Sequence, residues 1–168
     1  MISMTTIKSF GAACLLGLCL TAWAQRDVEL MDWNEGEVPP PPAFNVEKLL
    51  TFEVSRGSSL VYGVDPDTLN IAEDGVVRYV MVATSSSGAR NVMYEGIRCV
   101  TAEVKTYARY TPAGVWNKVP NAEWQSLHAN MPSKHALQFA RAGACDSSAR
   151  ASSVREIIRL LKGDRFNR

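Results

Sequence analysis

The sequence predicts an α+β fold, an antiparallel β-sheet meander with C-terminal helices packed on one face. Three observations carry this. Apolar and polar residues alternate with period two, or run as β-branched stretches, through most of residues 50–110. The links between these runs are short and rich in Gly, Asp, Ser and Pro, as antiparallel neighbours require. The clearest 3.6-residue apolar stripe comes last, so strands come first and helices after.

Residues 1–24 precede that fold and read as an export signal. Lys8 is the lone charge before an uncharged apolar run from Phe10 to Leu20. The run ends at Ala22-Trp23-Ala24, with small residues three back from and adjacent to the next bond, the layout of an Ala-x-Ala cleavage site. The apolar run is about half of the roughly 20 residues needed to span a bilayer, so the mature chain, from Gln25, is expected to have no transmembrane segment. Cys14 and Cys19 fit lipidation poorly. Leu18 is too large beside Cys19, and Gly11 stands where a Leu-like residue should precede Cys14.

Residues 25–46 read as an extended, proline-rich lead-in. Pro39 to Pro42 fix φ and favour polyproline II over helix or ladder. Trp33, in an acidic stretch, either packs onto the domain or serves as an exposed contact.

Residues 47–168 then form a single α+β domain. Leu50, Phe52 and Val54 alternate with polar residues as a first strand, and Arg56 to Ser59 turn. Leu60–Val64 is a second strand, followed by an Asp65-Pro66-Asp67 turn and a short extended piece over 68–71. Asp74-Gly75 is a strong turn signal. Val76 to Ala83 is a β-branched strand, Ser85 to Gly88 a loop, and Asn91 to Val100 a strand with a candidate bulge at Gly96. Ala102 to Tyr110 continues the meander, and Pro112-Ala113-Gly114 turns into Val115-Trp116.

Helices follow. Trp124 and Leu127 suit a short helix, and Lys134 to Phe139 another. The last helix has Ser153 as cap and Glu156 three residues on, a capping-box pattern. Val154, Ile157, Ile158 and Leu161 then fall on one stripe, and Gly163 is placed to end it.

The composition, 46% hydrophobic and 21% charged, is that of a folded globular protein. Two cysteines survive signal cleavage, Cys99 and Cys145. In an oxidising compartment they are expected to pair as a structural disulfide. It would tie the segment before the last helix to the strand carrying Cys99, and on the chain-entropy model would stabilise by about 4 kcal/mol. The mature chain has 17 basic and 17 acidic residues, unevenly spread. Residues 25–75 hold eleven acids and three bases, whereas residues 76–168 hold six acids and fourteen bases. Either the two halves neutralise each other, or a basic face including Arg150, Arg155, Arg159, Lys162, Arg165 and Arg168 meets an anionic surface. A neutral total and export both argue against nucleic acid.

Chemistry is sparsely marked. Tyr94 and Arg98 share a strand face, and Arg78 follows the Asp74-Gly75 turn on what is expected to be the next strand. Arg78, Tyr94 and Arg98 are the candidate ligand-binding residues, suited to an anion or glycan. The plainer expectation is that Arg98 pairs with Glu95, Glu103 or Glu53 while the tyrosines cover the sheet. Ser85, Ser86 and Ser87 lie in a plain polar loop with no nucleophile signature. His128 and His135 are seven apart, but Pro132 should break any helix joining them. No metal or cofactor motif is present, and no catalytic residue is assigned.

The runs Asp74-Gly75-Val76-Val77-Arg78-Tyr79, Ser87-Gly88-Ala89 and Asn91-x-x-Tyr94-Glu95-Gly96-Ile97-Arg98-Cys99 resemble the CNP1-like family of small exported bacterial proteins. The resemblance spans about Trp33 to Arg150, with Trp116, Trp124 and Cys145 in the expected order. It implies a Gram-negative periplasmic or outer-membrane-associated setting and brings no activity with it. The expected role is a non-enzymatic periplasmic binding or interaction module of the cell envelope. Its expected partner is an envelope protein or an anionic envelope component. A structural or assembly accessory of the envelope is the alternative, and a periplasmic enzyme is the least favoured.

Overall fold

A computed structural model describes residues 32–163. The expected signal peptide over 1–24, the start of the lead-in, and Arg165 and Arg168 lie outside the described residues. The chain divides into two units at Asn34/Glu35. In the first, the Asn34 side-chain amide donates to the Asp32 carbonyl at 3.3 Å. Everything below belongs to the second.

Among the described residues, eight strands form one antiparallel sheet. They are β1 (Leu50–Phe52), β2 (Leu60–Val64), β3 (Asn70–Ile71), β4 (Val77–Ser85), β5 (Arg90–Arg98), β6 (Glu103–Tyr110), β7 (Trp116–Lys118) and β8 (Gln125–Ser126). The order β1-β2-β4-β5-β6-β7 is a meander, with β3 beside β4 and β8 beside β6. Helix α1 (His135–Phe139) runs into a π-helical turn over Ala140–Ala144. A small hairpin, β9 (Cys145–Asp146) and β10 (Ala149–Arg150), leads to α2 (Val154–Gly163). The α+β class is therefore as the sequence predicts, and the chain is mostly sheet.

One element differs. The segment around Trp124 and Leu127 is strand, not helix. Residues Gln125 and Ser126 pair with Val104 and Glu103. The reason is a shared edge. Strand β7 pairs only with the second half of β6, from Ala108 to Tyr110, so the first half still offers unpaired backbone groups. Strand β8 takes them, and Leu127 is buried just beyond.

The central strands bury both faces. On one face Tyr79, Met81 and Ile97 pack with Phe139 of α1 and with Ile157 and Leu161 of α2. The Phe139 ring lies 4.5 Å from Tyr79 and 5.6 Å from Phe52, centroid to centroid. Burying a side chain of that size stabilises by about 2–3 kcal/mol. The stripe on α2 thus faces the sheet, and the Glu156 N–H donates to the Ser153 side chain at 3.2 Å, which caps the helix. Close approach between helical segments occurs at Gly143 (φ 137°), where a β-carbon would lie 2.9 Å from Leu160 Cβ.

The other face carries Val80, Val82, Val92 and Tyr94. Residues 35–46 of the lead-in cover it. Val38 and Phe44 pack there, and Phe44 meets the rings of Tyr110 and Trp116 edge-on, at 5.0 and 5.8 Å. Glu35 binds Lys105 at 2.8 Å and the Tyr107 hydroxyl at 2.7 Å. Here an acid from the first part of the chain pairs with a base from the second.

The irregularity expected at Gly96 sits instead on the neighbouring strand. Pairing passes from Tyr94↔Ala108 to Glu95↔Thr106, which leaves Tyr107 as the extra residue. Cys99 and Cys145 form a disulfide, Cα to Cα 5.6 Å, across 46 residues.

Candidate functional site

Alternation along β5 sorts its side chains. Tyr94, Gly96 and Arg98 point to the lead-in face. Met93, Glu95 and Ile97 point to the helix face.

The residues singled out from sequence lie on the lead-in face. Arg78 stands opposite Gly96 and is 2% exposed. Its guanidinium donates to both Asp74 carboxylate oxygens, at 2.7 and 3.3 Å, and lies 3.8 Å from Glu35. Tyr94 is buried under the lead-in, and Arg98 is half-buried at the end of β5. The three share a face, but Arg78 is engaged within the protein. Asp74 shows the same engagement. Burial works to raise its carboxyl, yet the Arg78 hydrogen bond and the backbone N–H groups of Val76 and Gly36 hold it below the usual carboxylate value.

A cleft of about 570 Å³ opens on the opposite, helix-covered face. Tyr62, Met93 and Val104 from the sheet, Val119 after β7, and Met131 before α1 give it apolar walls. Glu95, Thr106, Ser133 and His135 give it a polar floor.

Glu95 is 2% exposed and fully hydrogen-bonded. It accepts from the Tyr79 hydroxyl at 3.0 Å and the Thr106 hydroxyl at 3.1 Å. His135 Nε2 lies 2.9 and 3.1 Å from its two oxygens. Burial works to raise the Glu95 carboxyl. The charge and hydrogen bond of His135, with the two hydroxyls, outweigh this and hold it below its ordinary value. Burial and the Glu95 charge push the Tyr79 hydroxyl well above its ordinary value, so it remains a donor.

Helix α1 begins at His135, just after Pro132 interrupts the chain, so His128 and His135 share no helix. The His135 backbone N–H donates to Ser133 Oγ at 3.2 Å. The imidazole lies parallel to the Tyr62 ring, 5° between planes. An ionised carboxylate only accepts, so Nε2 carries the proton that reaches Glu95. In the neutral imidazole Nδ1 is then the acceptor, 3.0 Å from Ser133 Oγ. Ser133 Oγ also lies 3.2 Å from the Tyr62 hydroxyl. The result is a continuous chain from Tyr62 through Ser133 and His135 to Glu95. Chemically it can bind a polar group, move a proton, or orient a hydroxyl.

Among the described residues no group of three or more His, Cys, Asp or Glu could hold a metal ion. On α2 and the hairpin before it, Arg150, Arg155, Arg159 and Lys162 are exposed, and Arg159 is bound to Glu156 at 2.6 Å.

The CNP1-like family model matches residues 28–162, which is most of the chain. The chain belongs to the CNP1-like family. Neither a curated protein nor a solved structure matches it. In this CNP1-like protein the matched span contains the whole sheet, α1, the cleft and all of α2 but Gly163.

Sequence reasoning missed Glu95, Ser133 and His135 as a group. One signal was available. Glu95 alternates with Met93 and Ile97 on a strand whose other face is also apolar, so an ionisable group there has to be buried and partnered. Nothing local connects it to His135, 40 residues on.

Proposed function

We propose that this CNP1-like protein is a periplasmic binding module of the cell envelope that holds a small, partly apolar molecule in the cleft above Glu95 and His135. The cleft itself carries the reading. About 570 Å³, apolar walls and a few convergent polar groups make up the usual constitution of a small-molecule site. The export-signal pattern of residues 1–24 and the Cys99–Cys145 disulfide support an oxidising, extracytoplasmic setting. The exposed Arg150, Arg155 and Lys162 support an anionic envelope component as a partner at α2 and the hairpin before it.

Native mass spectrometry of the exported protein tests the cleft. A non-covalent small-molecule adduct is expected. Asn91→Trp, at an exposed cleft position on β5, should fill the space and remove it. Equal occupancy in the variant would place the ligand elsewhere, and an empty wild type would count against the reading.

A further inference from the structure

We propose that Ser133, His135 and Glu95 form a nucleophilic relay that hydrolyses a small carboxylic ester held in the cleft. This rests on the cleft reading and deepens it.

Three contacts carry the proposal. Ser133 Oγ is 3.0 Å from His135 Nδ1, within reach for direct proton transfer. His135 Nε2 is 2.9 Å from Glu95, which fixes the tautomer that leaves Nδ1 basic. Glu95 is 2% exposed, so its charge acts on the imidazole through little water. The base has a side chain 12% exposed and lines the cleft floor, so a substrate can reach it. The Ser133 hydroxyl has one proton and two acceptors in reach. When that proton points to Nδ1, the Tyr62 hydroxyl can donate back to Oγ, as the His135 N–H already does. The backbone N–H holds Oγ in place through one lone pair, and the Tyr62 contact gives way so that the other can reach the carbonyl carbon.

Ser133 Oγ bonds to the ester carbonyl carbon as its proton passes to Nδ1, and the carbonyl π pair moves onto oxygen. Collapse breaks the bond to the alcohol, which leaves with the proton from Nδ1. Water then adds to the acyl-Ser133 carbonyl, giving its proton to Nδ1, and Ser133 departs with that proton. The sum is ester plus water giving acid plus alcohol. Met93, Val104 and Val119 suit an uncharged acyl chain, and an alkoxide leaves more readily than an amine, so an ester fits better than an amide.

The test uses the exported, disulfide-linked protein with a fluorophosphonate probe and, separately, p-nitrophenyl butyrate. Labelling of Ser133, read by peptide mass spectrometry, and ester turnover are expected. Ser133→Ala should lose both while melting cooperatively. Glu95 acts through His135 as a positioning residue. Glu95→Gln should lower kcat by about 100-fold or more and leave KM unchanged. A folded wild type with Ser133 unlabelled and no turnover overturns the relay, as does turnover retained in Ser133→Ala. If a native small-molecule adduct is still present in that inactive wild type, the cleft reading survives and only the relay falls. If neither adduct nor turnover is seen, both fall.

Discussion

The ring of Tyr107 lies directly over Gly96. A β-carbon at Gly96 would sit 2.6 Å from the Tyr107 hydroxyl oxygen and 2.7 Å from Val76 Cγ1. Tyr107 is the extra residue in its strand, and the bulge turns its side chain inward across the sheet. From there its hydroxyl reaches Glu35, 72 residues earlier, and fastens the lead-in. Gly96 is therefore what lets the lead-in be tied down.

Gly96→Ala should destabilise by about 1–3 kcal/mol through overpacking, read as a lower urea midpoint. Combining it with Tyr107→Phe should cost less than the two losses added, because one clash is shared. Val76 remains in the way, so relief is partial. Strict additivity would show that the ring does not press on Gly96.

Reducing the Cys99–Cys145 disulfide should lower stability by about 4 kcal/mol on the chain-entropy model, since the loop spans 46 residues. Urea unfolding with and without reductant measures this. Non-reducing peptide mapping should recover the two cysteines as one linked species. An unchanged midpoint after verified reduction would contradict the estimate.

Local patterns made the meander legible, and the site much less so. Period-two alternation and the Asp74-Gly75 turn locate β4 and β5 because a strand's side-chain period is written in neighbouring residues. The stripe from Val154 to Leu161 locates α2 for the same reason. Strand β8 was not legible, because Gln125 and Ser126 become strand only when the edge of β6 offers them partners. Arg78 read as a ligand residue because its pairing with Asp74 back across the turn, and the approach of Glu35 from the lead-in, exist only once the chain is folded. Ser133 and His135 carry no signal until α1 is laid against Glu95. What is long-range in sequence is unreadable from spacing, and here the site is made of such contacts.

The Arg78–Asp74 pair is structural, with side chains 3% and 6% exposed. Asp74→Ala should cost about 3–5 kcal/mol, because it strands a buried guanidinium that Glu35, at 3.8 Å, only partly compensates. The exposed Arg159–Glu156 pair provides the contrast, and Arg159→Ala should leave the unfolding midpoint in place. Urea melts of both variants decide it. A mild effect of Asp74→Ala would mean that Arg78 finds another partner or reaches water.

Stability should fall in acid from about pH 4.5 downward, and Glu95 should account for part of the slope. Unfolded, Glu95 titrates near its ordinary value of 4.5; folded, His135 and two hydroxyls keep it ionised to lower pH. The unfolded chain therefore takes up the proton first as pH drops, which favours unfolding. The contribution is complete above the unfolded value and is lost as pH falls through the folded one. Asp74, lowered from 3.8, adds a loss of the same sign at lower pH. Glu95→Gln should be less stable at neutral pH, having lost the buried carboxylate that accepts from Tyr79, Thr106 and His135, yet its stability should change less between pH 5 and pH 3. Urea midpoints taken across that range test it. An acid slope as steep in Glu95→Gln as in the wild type would assign the titration to other carboxylates.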